Sequence, residues 1–157
     1  MDIFLNLLLG ALSAIGFSLI TNAPRRAAGI IGITGALSWT VFYLLKNYSH
    51  INILISNYVG AVIIGILAYF FARKFRLPEN IIIIPCLVNL VPGGNAYRTI
   101  LYMVQNNYPG SISQGLQTFL IASFIAMGLF TVPYTAATIQ RLKAIRLRNK
   151  YLNRWKK

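Results

Sequence analysis

The sequence predicts an all-α, polytopic integral membrane protein of five transmembrane helices, with the fourth broken at Pro92-Gly93-Gly94. Three observations carry that expectation. Of 157 residues, 57% are hydrophobic and only 11% charged, and the mean hydropathy is +0.63; water-soluble domains are far more polar. Apolar runs of about twenty residues, the length that crosses a bilayer, recur along the chain. Thirteen of the fifteen Lys and Arg fall in the first connection, the third connection and the C-terminal tail, the alternation that the positive-inside rule requires.

The first span is Ile3 to Thr21, with Gly10, Ser13, Ala14 and Gly16 among the large apolar residues. An acid precedes it where a signal peptide would carry basic residues, and no small-residue cleavage site follows, so it reads as a retained helix. Asn22-Ala23-Pro24-Arg25-Arg26 then makes a short basic turn. The second span, Ala27 to Leu45, sets Gly29, Gly32 and Ala36 on one smooth face. Its Trp39 and Tyr43 suit an interfacial belt. Lys46 to Asn52 is a polar connection with the lone histidine, His50.

The third span, Ile53 to Ala72, repeats small residues at Ala61, Gly65, Ala68 and Ala72, a second packing stripe. Arg73 to Asn80 closes it with three positive charges. The fourth span, Ile81 to Val104, contains Pro92-Gly93-Gly94 near its middle. Pro92 lacks an N–H and disfavours a helical Val91, while two glycines admit backbone conformations closed to other residues. Asn107-Tyr108-Pro109-Gly110 signals a turn, and the fifth span follows from Gly115 to Ile139. Residues 1–140 thus form a transmembrane helical domain. Residues 141–157 form a basic tail with eight Lys/Arg and no acid, suited to lie on anionic lipid as a partly amphipathic helix. Five spans put the N-terminus outside and the tail in the cytoplasm.

Several chemistries lack their residues. No paired carboxylates, nucleophile–base set, HExxH or phosphate loop is present, so no enzyme is expected. One histidine and one cysteine, Cys86, build neither a metal site nor a disulfide, and no cofactor is expected. The tail matches no folded nucleic-acid module. The only acids, Asp2 and Glu79, sit at span ends, so the chain alone offers no proton relay.

The broken span is the candidate solute path. In lipid, freed backbone groups are tolerated only where protein or a wet cavity satisfies them. Asn95 could cap a second half-helix whose positive end faces the break. Asn89 lies about one turn before, and Tyr97 and Arg98 about one turn after. An amide, a helix N-terminus and a guanidinium together suit a carboxylate. The competing reading is that Pro-Gly-Gly starts a loop and Arg98 snorkels to the outer interface.

Two segments carry a family resemblance. Asn22-Ala23-Pro24-Arg25-Arg26-Ala27 is similar to an N-x-P-x-R turn, and Leu90-Val91-Pro92-Gly93-Gly94-Asn95-Ala96-Tyr97 to an apolar-Pro-Gly-x-x-Ala-Tyr segment. Their order, their separation and the total length resemble the threonine/serine exporter family, specifically the small membrane half that many bacteria encode separately. Asn22, Pro24, Arg25 and Arg26 are then the motif turn. The resemblance implies proton-driven export of threonine, serine or small dicarboxylates such as succinate from a bacterial cell, across its inner (plasma) membrane. It also implies a larger partner subunit with further spans and a soluble region. Arg98 has no place in the family pattern. Homo-oligomerisation stays open, and the alternative is a non-transporting structural or regulatory subunit of a membrane complex.

Overall fold

In the computed structural model, which describes residues 2–49 and 51–154, the chain forms six helices: α1 Asp2–Ile20, α2 Arg25–Asn47, α3 Ile53–Phe75, α4 Asn80–Leu87, α5 Gly93–Val104 and α6 Tyr108–Arg154. His50 and Trp155 lie outside the described residues, as do the side chains of the tail. Among the described residues, four helices contain segments long and apolar enough to cross a membrane, at residues 3–20, 25–47, 53–75 and 108–136.

Three helices end by the same local device. After α1, Asn22 takes a left-handed backbone (φ 52°); its N–H donates to Leu19 O, and that of Ala23 to Ser18 O at 2.9 Å. This is a Schellman end, which satisfies carbonyls that the helix leaves open. Asn tolerates that conformation better than most residues, and Pro24 then prevents the helix from resuming. Asn106 (φ 59°) ends α5 in the same way, with Asn107 N–H on Tyr102 O. Arg76 (φ 53°) ends α3, with Leu77 N–H on Ala72 O and Pro78 beyond.

The expected fourth span departs from the sequence reading. Its helix stops at Leu87, and the interruption occupies 88–92. Pro85 sits inside α4, where it removes a helical N–H, and α4 ends two residues later. Gly93 N–H donates to Val91 O at 2.8 Å around Pro92 (φ −77°, ψ 52°), an inverse γ-turn. Gly93 and Gly94 open α5 instead of breaking it, and no described glycine has a positive φ. Pro92, not Asn95, holds the N-cap position. The turn expected at 107–110 is shorter too: α6 begins at Tyr108, because Pro109 in a first helical turn costs no hydrogen bond.

Glycines set the helix contacts. A Cβ on Gly35 would collide with that of Ala14, and one on Gly10 would lie 3.0 Å from Trp39 Cβ, so α1 and α2 touch backbone to backbone there. Gly32 meets Ile15 of α1, whereas Gly29, expected on the same smooth face, has open space beside it. The α3 stripe is buried, with Ala61 and Ala68 fully covered. A Cβ on Gly128 of α6 would be 2.8 Å from Ala61 Cβ, and one on Gly65 would be 2.9 Å from Val132. Both contacts climb in the same sense, so α3 and α6 run parallel. Hydroxyls inside the spans mostly bond back to carbonyls three or four residues earlier, as Ser38 does to Gly35 and Thr131 to Met127, which makes them tolerable away from water.

Between the parallel α3 and α6, α4 and the 88–92 turn lead back along α2. The Cys86 thiol donates to Ile31 O, and Asn89 reaches Gly35. Leu90 touches Gly60, beside Ser38 O. α5 then leaves this groove, packs on α6 alone among the described helices and buries none of its residues.

Candidate solute site

The irregular segment 88–92 sits against the closest contact of α1 and α2. Asn89 Nδ2 donates to Gly10 O at 3.0 Å and Gly35 O at 3.3 Å. One amide carries two hydrogens, so it can serve both carbonyls. Glycines leave those carbonyls open to approach from the side. Trp39 Nε1 donates to Asn6 Oδ1 at 3.0 Å, a second polar tie from α2 to α1. The Trp39 ring also packs against Phe42, with centroids 5.3 Å apart. The half-buried ring therefore lies against both α1 and its own helix.

Two clefts flank this point. The first, of about 360 Å³, is lined by Asn89 to Asn95 together with Trp39, Phe42, Lys46, Ile53, Asn57 and Ile121. The second, of about 310 Å³, is lined by Asn6, Leu9, Gly10, Ser13, Trp39, Val88 and Asn89. In the first, α5 presents its N-terminal end. Gly94 and Asn95 N–H have no backbone acceptor among the described residues, and the helix dipole places partial positive charge there. Lys46 adds a full charge, its Nζ standing 5.9 Å from the Phe42 ring centroid. Asn57, almost fully buried, anchors its amide nitrogen on Ile53 O at 2.8 Å.

Of the residues expected at a solute path, Asn89, Pro92, Gly93, Gly94 and Asn95 come together around the first cleft. Tyr97 and Arg98 do not line it; both are exposed on α5. The cation at the cleft is Lys46, not Arg98. Asn95 lies inside the first turn of α5, where its carbonyl accepts the Thr99 hydroxyl. In the motif turn, Asn22 and Pro24 line a small cleft with Asn80, Ile81, Ile84 and Pro85, while Arg25 and Arg26 are exposed. The sequence reading missed Trp39, Lys46, Asn57 and Asn6. For the two asparagines a signal exists, since each is an amide within an apolar run.

A family profile described as threonine/serine exporter, ThrE, matches residues 6–134. The chain belongs to the threonine/serine exporter family. That is a family of membrane transporters, and both clefts lie within the matched region. A protein of Haemophilus influenzae described as uncharacterized is 29% identical over 122 residues, or 76% of this chain and 40% of that protein. This exporter-family chain thus spans about two fifths of that curated relative's length. No solved structure matches it.

Proposed function

We propose that this exporter-family chain is the smaller membrane half of a two-part secondary exporter, moving threonine, serine or small carboxylic acids such as succinate. One observation carries the reading: a cleft bearing several polar groups opens beside the irregular 88–92 backbone, where α2 ends and α3 begins. Its Lys46 and the N-terminal end of α5 favour a carboxylate, which every solute of this class bears. Asn57 and Asn89 supply amides beside it. A broken helix at a solute path is the arrangement secondary transporters use.

The parallel course of α3 and α6 supports five crossings, since 79–95 must return the chain to the far side between them. Positive charge then gathers on the side where α1, α3 and α6 end, consistent with a cytoplasmic C-terminus and an outer N-terminus in a bacterial inner membrane. The matched relative's greater length supports a second, larger part, as does the lack of an intramembrane acid in this half. The basic tail suits contact with anionic lipid. A structural or regulatory subunit is the competing reading; it has no need of a polar cleft at a helix break.

The test is efflux from loaded cells expressing the chain, alone and together with a candidate larger membrane subunit. Threonine, serine and succinate are measured separately, normalised to protein in the membrane. Lys46→Ala should slow efflux at least tenfold, the scale of a charge-assisted hydrogen bond, while Arg98→Ala should leave it within twofold. Efflux of all three solutes that is the same with and without the chain would sink the exporter reading.

A further inference from the structure

The two clefts share a wall. Trp39 and Asn89 are the residues that line both, so a single layer of side chains separates the Lys46 side from the Ser13 side. Each of the two is fastened to α1 across the helix contact: the indole to Asn6 Oδ1 and the amide to Gly10 O. Movement of α1 therefore acts on both fasteners at once. We propose that Trp39 and Asn89 form a gate, and that a small polar solute passes from the Lys46 cleft to the cleft at Asn6 and Ser13 when their bonds to α1 open. This rests on reading the first cleft as the solute path.

The bundle provides a hinge for such a motion. α1 packs against α2 and α4 only among the described helices, and most of its large apolar side chains are exposed. At Ala14 and Gly35, α1 and α2 lie too close to admit a second Cβ. Asn6 lies eight residues before Ala14, about 12 Å along the helix. A pivot at Ala14–Gly35 swings Asn6 away from Trp39 without parting the crossing. The ring has an alternative resting place, because Phe42 already flanks it at 5.3 Å. Both chambers are of useful size: at about 30 Å³ for each water, 310 Å³ holds the equivalent of roughly ten. Both also offer polar contacts, Lys46 and Asn57 on one side, Asn6 and Ser13 on the other.

Thiol accessibility tests the gate without requiring any solute. The native Cys86 is first replaced by alanine, and single cysteines are introduced as Val91→Cys on the near side or Ser13→Cys on the far side. A charged, membrane-impermeant maleimide is applied to cells expressing the full exporter, from the side that bears Ser49. With the gate intact, Val91→Cys should label at least tenfold faster than Ser13→Cys. Adding Trp39→Ala should raise the Ser13→Cys rate at least tenfold and leave Val91→Cys within twofold. Asn6→Ala, which keeps the indole and removes its Oδ1 acceptor, should raise the Ser13→Cys rate severalfold. If Trp39→Ala loses the Val91→Cys signal through misfolding, Trp39→Phe takes its place with the same expected direction. An unchanged Ser13→Cys rate in both Asn6→Ala and the Trp39 variant overturns the gate. So does equal labelling at the two positions with Trp39 in place. Faster labelling in a protein that exports nothing would retain the gate and remove the exporter reading.

Discussion

Asn89 shows how one side chain fixes an otherwise irregular segment. Its amide reaches carbonyls on two helices, so the 88–92 turn is tied to the α1–α2 contact as well as to its own neighbours. Asn89→Leu removes both bonds and should destabilise the purified chain by about 1–2 kcal/mol, near 1 kcal/mol for each bond lost. Thermal unfolding in detergent would measure it, and an unaltered transition would mean that the turn is held elsewhere. Asn22 is a second such residue, for its left-handed backbone is a conformation that glycine takes freely. Asn22→Gly should be tolerated, whereas Asn22→Val should cost about 1–2 kcal/mol through Cβ strain. Equal stability of those two variants would contradict this account of the motif turn.

At the scale of helices, α3 and α6 meet through contacts that yield to different degrees. A Cβ at Gly128 would lie 2.7 Å from the backbone oxygen of Tyr58, whereas one at Gly65 would press on the side chain of Val132 at 2.9 Å, with the nearest backbone oxygen, that of Leu129, at 3.9 Å. A side chain can turn away; a helical carbonyl cannot. Gly128→Ala should therefore destabilise more than Gly65→Ala, by about 1–3 kcal/mol for the former, and the reverse order in melting experiments would refute the register. The helices themselves were legible in the sequence, because apolar runs and Asn-x-Pro or Arg-x-Pro ends are local signals. The break was legible only roughly. Pro92 and the two glycines marked the neighbourhood, but α4 ends earlier, at Leu87, two residues after Pro85. Lys46 and Trp39 could not be read as site residues, since their approach to 89–95 depends on how α4 lies along α2. Arg98 looked central only on the assumption of one span from 81 to 104.

For the whole molecule, topology is the first quantity to measure. A reporter fused after Lys157 should be cytoplasmic, and a cysteine at Ser49 should label from outside; labelling of the tail from outside would overturn five crossings. A second consequence follows from the unequal apolar lengths of the helices. The candidate span in α1 covers 18 residues and that in α6 covers 29 among the described residues, about 27 and 43 Å at 1.5 Å per residue. A hydrocarbon core of about 30 Å fits the first and not the second. Because α6 is gripped along α3, it cannot tilt freely to absorb the difference, and the excess falls in the hairpin with α5. How much of that hairpin is immersed then depends on bilayer thickness. Reconstituted in lipids of increasing acyl length, the protein should gain thermal stability until the hairpin is submerged. A melting temperature indifferent to acyl length would put residues 108–119 in water.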